Sequence, residues 1–317
     1  MSADAYTIEP LVPELFNQLV PLMEDVFGGA PQTALFDWKY LQNPAGPAIG
    51  HVARSATGEL AAFYGMIPEI YRWGGATHLI YQSCDTMTHS RHRRKGLFQL
   101  LAKATYAAAE LADPHFFAIG FSGPMSTPGF LKMNWTSPMT IPHRFNPRLL
   151  ARLVSLGRNG PEVSAAIPPR LVDLMKYREL GRENSKVFSP EFVEWRLTTP
   201  AIRYFHIVDS GAYAIFKRAA NFIYLLDFWE AEPGAGSGVM VALRREALRP
   251  GCRGILTACQ YGGDLDRMIR RYGFLQNPFS KGPAKDRTPF IIYGQPPVPA
   301  AQTSRGWQLT GIDFDSL

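Results

Sequence analysis

Cysteine is scarce in this 317-residue chain, and its placement argues against two kinds of cross-linked fold. Cys84, Cys252 and Cys259 are an odd number and widely spaced, and no CxxC pair or His/Cys cluster accompanies them. Such a set predicts neither a disulfide framework nor a zinc site. It is typical of a protein from a reducing compartment. We therefore expect a cytoplasmic protein that binds no metal.

Long apolar runs are missing as well. No window approaches the roughly 20 apolar residues that a membrane span needs, and the first residues, MSADAYTIEPLVPELF, predict no signal peptide. Hydrophobic residues make up 46% and charged residues 19%, an ordinary globular balance. The length allows two domains of about 100–200 residues each. A formal charge of +6 favours anionic partners, but nucleotides, nucleic acid and anionic lipid all satisfy it.

The hydrophobic pattern of the first half predicts an α/β (α+β) domain with a mixed sheet. Runs of strands precede a strand–helix–strand unit, which argues against a doubly wound sheet. Pro21 is expected to kink or split the first helix. The predicted elements are helices at 13–27 and 33–42, strands at 51–55, 60–73 and 78–88, a helix at 95–111, a strand at 115–121 and a short helix at 127–133.

The rest of the chain repeats this order faintly. Leu35-Phe-Asp-Trp-Lys39 and Phe192-Val-Glu-Trp-Arg196 share a pattern, and each precedes a set of strands, which predicts a duplication. The second set comprises strands at 204–209, 212–218, 221–229 and 254–259, with helices within 237–248 and at 263–272. The expected domains are 1–145, a helical connector at 146–187, a second half at 188–295 and a tail at 296–317.

The most informative segment is Asp85–Leu101, which reads DTMTHSRHRRKGLFQLL. A strand ends, a basic turn follows and a helix begins near Gly96, so free backbone N–H groups and the helix dipole favour an anion there. Gly96 lets the backbone approach a phosphate because it has no Cβ. The alternative is a solvated basic turn, but the flanking strand and apolar helix favour phosphate binding. The cations are Arg91, Arg93, Arg94 and Lys95.

Arg93-Arg-Lys-Gly96-Leu-Phe98 resembles the Arg/Gln-x-x-Gly-x-Gly/Ala signature of the GNAT N-acetyltransferases. Phe121–Trp135 is similar to the late strand, loop and helix of that family. Gly306–Asp315 and Trp195-Arg196 resemble a longer bacterial subgroup with a second GNAT-like half. The resemblance implies two GNAT halves in tandem and a donor substrate that is acetyl-CoA or another acyl-CoA. The implied cofactor-binding residues are Met87, Thr88, Arg93, Arg94, Lys95, Gly96, Leu97 and Phe98.

Attack of an amine on a thioester needs a neutral amine, a donor to the oxyanion and a proton for the thiolate. The resemblance implies that a backbone N–H near Met87 or Thr88 polarises the carbonyl. Asp85 is the only carboxylate on this strand and is the candidate base; the alternative is a buried structural aspartate. Strand alternation places Asp85 on the face opposite Cys84 and Thr88, unless a bulge resets the phase.

Two residues depart from the family pattern. Phe98 replaces the small third residue of the signature, and Phe130 stands where many members have a tyrosine that protonates the leaving thiolate. Phenylalanine donates no proton, so Ser122, Ser126 or water is expected to do so, and the candidate catalytic residues are Asp85, Thr88 and Ser126. Cys84 is interpreted as inert core in preference to an acyl-enzyme nucleophile.

The second half has glycines at 234, 236 and 238 but acids where the first half has arginines. We interpret it as a degenerate half that shapes the acceptor pocket. The predicted function is transfer of an acyl group from acyl-CoA to a primary amine of a small molecule, such as an amino sugar. The alternatives are an aminoacyl-tRNA-dependent transferase of the tandem-GNAT type, which would bind RNA, and a non-catalytic GNAT-fold binding protein.

Overall fold

The computed structural model describes residues 6–29, 31–155, 159–219, 221–277 and 287–314. The chain folds as two compact units, each with its own mixed sheet and helices, as the predicted α/β class requires. The first unit comprises 1–139, 199–201 and 289–304, and the second comprises 140–198, 202–288 and 305–317.

The sheet of the first unit has the strand order β1-β2-β3-β4-β5-β15-β6. Its neighbours pair antiparallel from β1 to β4, β4 pairs parallel with β5, and β5 pairs antiparallel with β15. The strands are β1 (Tyr6–Pro10), β2 (Ile49–Ser55), β3 (Leu60–Trp73), β4 (Ala76–Thr88), β5 (Phe117–Phe121), β6 (Thr136–Ile141) and β15 (Thr288–Gly294). The helices are α1 (Phe16–Phe27), α2 (Ala34–Phe36), which continues as a π-turn at Asp37–Leu41, α3 (Leu97–Ala112) and α4 (Thr127–Lys132).

The central strand β3 is buried without a break from Leu60 to Glu69, which is the pattern of a strand covered on both faces. The apolar stripe of α3 includes Leu97, Leu101 and Ala109, and the repeat of three to four residues places them on one side of the helix. That side packs into the core of the first unit together with Tyr64 and Trp135.

The sheet of the second unit has the order β14-β7-β13-β12-β11-β10-β8. Among the described strands of this sheet, β12 and β13 pair parallel, and the other neighbours pair antiparallel. The strands are β7 (His143–Pro147), β8 (Val163–Ser164), β10 (Tyr204–Asp209), β11 (Ala212–Arg218), β12 (Ile223–Glu230), β13 (Gly254–Ala258) and β14 (Leu275–Gln276). A further short strand, β9, spans Asn184–Lys186. The helices are α5 (Arg148–Ser155), α6 (Pro169–Leu180), α7 (Pro190–Leu197), α8 (Ser237–Glu246) and α9 (Asp264–Arg271).

The two sheets share one topology, in which each half receives a strand from the other part of the sequence. In both sheets, four successive strands pair antiparallel, and the last of the four pairs parallel with a fifth strand. On its other side, the fifth strand pairs antiparallel with a strand from elsewhere in the chain. That strand is β15 in the first sheet and β7 in the second. The domain boundaries expected from the sequence therefore differ from the units observed. The segment 143–147 lies in the second sheet, and 288–294 lies in the first.

Other differences are local. The helix α1 continues through Pro21 without splitting and ends at Gly28, whose φ of 77° is the left-handed cap expected of glycine. The expected connector at 146–187 contains β8 and β9 besides its helices. Residues 156–158 of that connector, 278–286 of the expected second half and 315–317 of the expected tail lie outside the described residues.

Candidate functional site

Strand β4 carries a bulge at Asp85. Phe63 pairs with Met87 and Gly65 pairs with Cys84, so Asp85 and Thr86 together stand opposite a single residue of β3. Asp85 has a φ of 45°, a left-handed conformation that aspartate tolerates better than most residues. An extra residue in one strand resets the side-chain alternation. The strict alternation expected from the sequence therefore does not hold across this point.

The carboxylate of Asp85 is held by two side chains from the π-turn that follows α2. Its Oδ2 atom lies 2.6 Å from Lys39 Nζ and accepts a 2.6 Å hydrogen bond from the Tyr40 hydroxyl. Both side chains of the ion pair are less than a tenth exposed. Asp85 is thus anchored at the bulge, and its role as a base stays a prediction. The sequence contained the partner within the repeated Phe-Asp-Trp-Lys motif, but it gave no sign of the pairing.

The pairing of β4 with β5 ends before the bulge is reached. Their parallel pairing covers only Tyr81–Ser83 against Ala118–Gly120, whereas β4 continues to Thr88. On the side of β5, the stretch of β4 from Asp85 to Thr88 has no strand paired with it in the described sheet. Strands that diverge in this way leave room for an extended ligand between them.

The register decides which backbone amide faces this gap. The His89 N–H donates to the Ala61 carbonyl at 2.9 Å, so Ala62 and Thr88 form the intervening pair that exchanges no hydrogen bonds. The Thr88 N–H consequently points away from β3 and toward the open edge. The Met87 N–H, one residue earlier, points toward β3. Of the two amides expected from the sequence, Thr88 is the one that faces the gap.

The first part of the basic turn is braced by two carboxylates. Asp25 accepts from the Ser90 N–H at 2.7 Å and from its hydroxyl at 2.8 Å, and these bonds lower the pKa of Asp25. Glu59 pairs with Arg91 and lies 3.2 Å from the His92 Nε2 atom. The charge of Arg91 is therefore already matched within the protein. Neither carboxylate was anticipated from the sequence.

The second part of the turn keeps its positive charge available. Arg93 is exposed, and its Nε atom makes a long contact of 3.4 Å with the Thr88 carbonyl. Arg94 is exposed and has no hydrogen bond or ion pair with the described residues. Lys95 donates to the Tyr6 hydroxyl at 2.9 Å. Arg93 and Arg94 are thus free to meet an anion.

The N-terminus of α3 adjoins these arginines and has no side-chain cap. The first bond inside the helix runs from the Leu100 N–H to the Gly96 carbonyl, so the preceding amides have no acceptor within the helix. Gly96 has a φ of 76°, and a Cβ placed there would meet no atom within 4 Å. Glycine is required here by the backbone angle and not by crowding within the protein.

Phe98 and Phe130, the two departures from the family pattern, both belong to the core. Their rings meet edge to face with centroids 4.9 Å apart, and Phe130 is buried. A Cβ on Gly129 would lie 2.5 Å from the Phe98 ring, so Gly129 provides the space for this large residue. Leu97 is likewise buried in that core, and it contributes to the candidate site through its backbone alone.

The candidate proton donors lie between β5 and α4. The Ser122 hydroxyl is buried and lies 2.8 Å from the hydroxyl of Thr127, a residue that no sequence signal indicated. The Ser126 hydroxyl is partly exposed and donates to the Gly123 carbonyl at 3.3 Å. Cys84 is buried, as expected of a core thiol.

Two structural features are missing from the described ranges. No group of three or more His, Cys, Asp or Glu side chains that could hold a metal ion occurs there. In the same ranges, no helix has both the length and the apolar character to cross a membrane.

Comparison with known proteins gives the fold. No protein-family model matches the chain, and no curated protein matches its sequence. A GCN5-related N-acetyltransferase from Anabaena variabilis has a similar structure at 12% identity, covering 92% of this chain and 73% of the other, with a TM-score of 0.64. An N-myristoyltransferase from Saccharomyces cerevisiae with bound myristoyl-CoA matches at 12% identity over 92% and 79% of the chains, with a TM-score of 0.60.

A tandem GNAT protein from the clavulanic acid biosynthesis pathway matches over 92% of this chain and 99% of its own length. The identity is 17% and the TM-score is 0.57. The chain therefore has the GNAT fold, and it has that fold in two halves. Both statements confirm the expectation drawn from the sequence.

Proposed function

We propose that this protein is an acyl-CoA-dependent N-acyltransferase whose donor site lies in the first unit. The observation that carries the proposal is the uncapped N-terminus of α3 beside two exposed arginines, Arg93 and Arg94. This N-terminus is joined by the basic turn to β4, a bulged strand whose last residues have no partner on the side of β5. This combination supports a place for a diphosphate at the start of α3 and a place for a thioester at the end of β4, connected by a single stretch of backbone.

The diphosphate of CoA is assigned to the turn at Arg93–Phe98. Backbone amides at the start of α3 donate to the phosphate oxygens, and the positive end of the helix dipole adds to the attraction. Arg93, Arg94 and Lys95 supply charge-assisted hydrogen bonds, each worth roughly 1.5–3 kcal/mol where water is excluded. The CoA chain then extends along the open edge of β4, where Met87 and Thr88 flank it.

The thioester carbonyl is assigned to the Thr88 amide, which faces the gap between β4 and β5. A fixed N–H aimed at a developing oxyanion is typically worth a factor of about 100–1,000 in rate. The amine attacks the thioester carbonyl directly in a ternary complex, and the C–S bond breaks as the amide forms. The departing thiolate takes a proton from water, either directly or through Ser126, which is reprotonated by that water. Asp85 is the candidate that accepts the amine proton, directly or through water.

The acceptor is assigned by chemistry as a primary amine on a small molecule, such as an amino sugar. The donor is acetyl-CoA or a longer acyl-CoA. The three cysteines are unpaired by disulfides and buried, which is consistent with a cytoplasmic protein. The second unit is assigned as a degenerate half.

Titration of acetyl-CoA by calorimetry tests this proposal, beside desulfo-CoA and the variant Gly96→Trp. The matched control is Gly75→Trp, because Gly75 also has a positive φ, 85°, and an open surrounding, but lies in the turn between β3 and β4. Both substitutions incur a similar backbone strain of about 1–2 kcal/mol. We expect micromolar binding that Gly96→Trp abolishes and Gly75→Trp preserves.

The next measurement is release of free thiol from acetyl-CoA with a panel of primary amines. If neither acetyl-CoA nor longer acyl-CoAs bind, the proposal is refuted. Strongly salt-dependent RNA affinity would then point to a tRNA-linked transferase. Binding of CoA without turnover on any amine would point to a non-catalytic protein.

A further inference from the structure

The second unit contains the same strand geometry as the candidate donor site. Ile215 pairs with Asp227 and Phe216 with Leu225, so Leu226 is an extra residue in β12. The strand β12 pairs parallel with β13 only at 223–224 against 255–256 and then diverges from it. A bulged strand that separates from its parallel neighbour is the arrangement seen for β4 and β5. This arrangement creates a second gap, between β12 and β13.

Residues of the chain's own tail fill it. Thr310 forms a bridge with Cys259, directly after β13, and the Gln260 N–H donates to the Leu309 carbonyl at 3.3 Å. On the other side, a Cβ at Gly311 would lie 2.9 Å from the Leu226 Cα atom, at the bulge of β12. The tail is therefore bonded to the end of β13 and pressed against the bulge of β12. An extended ligand would need the same space.

Further contacts hold the tail in place. The Arg196 side chain donates to the carbonyls of Ile312 and Phe314, and Lys186 Nζ lies 3.4 Å from Asp313 Oδ1. Every described residue from 309 to 314 is buried. Arg196 is the basic residue of the second copy of the repeated motif, whose first copy supplies Lys39 to the bulge of β4. A segment with this many buried polar contacts is part of the folded unit.

The anion position of the second unit is also filled. The strand β12 ends at Glu230, whose Oε2 atom accepts from the N–H groups of Gly234 at 3.1 Å and Gly236 at 3.0 Å, just before α8 begins. Oε1 lies 2.6 Å from Arg271 Nη2, and the Tyr272 hydroxyl donates to Oε2. The carboxylate thus has backbone amides and an arginine around it, as a phosphate would.

We propose that the second unit carries its own internal ligand. Glu230 occupies the place of a diphosphate and Leu309–Ile312 the place of an acyl-pantetheine arm, so the chain binds one acyl-CoA, in the first unit. The stoichiometry of one acyl-CoA per chain rests on the proposed function. The filling of the second gap by the tail and by Glu230 rests on the contacts described above. The glycines at 234 and 236 serve this internal carboxylate and form no nucleotide site.

The stoichiometry of acyl-CoA binding tests the first part. Calorimetry or equilibrium dialysis with acetyl-CoA is expected to give one site per chain for the native protein and none for Gly96→Trp. Two sites in the native chain, or one site remaining in Gly96→Trp, would overturn the inference.

Hydrogen exchange followed by mass spectrometry tests the second part without any ligand. The amides of 307–314 in the native protein are expected to exchange far more slowly than those of an unstructured peptide. Gly311→Ala is expected to speed their exchange by tenfold or more, because its methyl group meets the backbone at Leu226. Gly181→Ala is the control, since a Cβ there meets only ordinary contacts of 3.6 Å or more.

Unprotected tail amides in the native protein would overturn the internal ligand, and so would unchanged protection in a folded Gly311→Ala variant. If Gly311→Ala fails to fold, the exchange of the native protein decides the matter. A native chain that binds no acyl-CoA while its tail stays protected would refute the proposed function and support the closed second unit.

Discussion

The ion pair at the bulge of β4 allows the structural and catalytic roles of Asp85 to be separated. Asp85→Asn removes one charge of a buried pair and leaves the Lys39 ammonium in place, with both side chains less than a tenth exposed. Breaking a buried pair from one side typically costs 3–5 kcal/mol. Because asparagine still accepts from the Tyr40 hydroxyl, and because Lys39 has further contacts, we expect a loss of about 3 kcal/mol. Lys39→Met added to Asp85→Asn removes the second charge and is expected to recover most of this loss.

The assay is urea unfolding of the native protein, both single variants and the double variant, read as a double-mutant cycle. Acyl transfer is then measured on the double variant with an amine found in the panel. Recovered stability with recovered transfer identifies Asp85 as a positioning residue. Recovered stability with acyl-CoA binding intact, but transfer reduced by a hundredfold or more, identifies it as the base. A single variant within about 0.5 kcal/mol of the native stability would refute the anchoring argument itself.

Two further predictions concern charge. Arg94→Ala is expected to weaken acetyl-CoA binding about three- to tenfold. Arg91→Ala is expected to change that binding less than twofold, because Glu59 already matches the charge of Arg91. Calorimetry at two salt concentrations measures both effects, and equal effects would contradict the assignment of Arg94 to the diphosphate. Burial lowers the pKa of His206 to about 4, below its ordinary value of 6.5. Its stabilising contribution is therefore present above pH 6.5 and is lost as the pH falls toward 4, by roughly 3 kcal/mol. Urea unfolding across this range should show a weaker pH dependence for His206→Phe, and an unchanged dependence would contradict this reasoning.

Elements whose formation depends on neighbouring residues were predicted well from the sequence. The bounds of β3 are as expected because it is a long apolar run between two turns, and α3 lies within two residues of its expected bounds because its apolar residues recur at helical spacing. The strands β7 and β15 were missed. Each is short and completes a sheet whose other strands lie far away in the sequence, so no nearby residue reveals its partner.

The features of the candidate site likewise fall into those that are visible in the sequence and those that depend on contacts between elements. The basic turn and the glycine before α3 are visible in the sequence because they are contiguous. The bulge at Asp85 depends on how β3 pairs with β4, and the accommodation of Phe98 depends on Gly129, 31 residues further along. Neither can be read from alternation or from a signature, since both are properties of contacts between separate elements.

The contrast between the two halves follows from the residue at which the bulged strand ends. In the first half β4 ends at Thr88, which carries no charge, and the N-terminus of α3 that follows has no side-chain cap, which supports the anion site proposed there. In the second half β12 ends at Glu230, whose carboxylate reaches the amides of Gly234 and Gly236. An internal carboxylate at that point competes with any phosphate at no cost in translational entropy. Glycines before a helix therefore define a phosphate site only when the preceding strand leaves their amides free, and in this chain that condition holds in the first half.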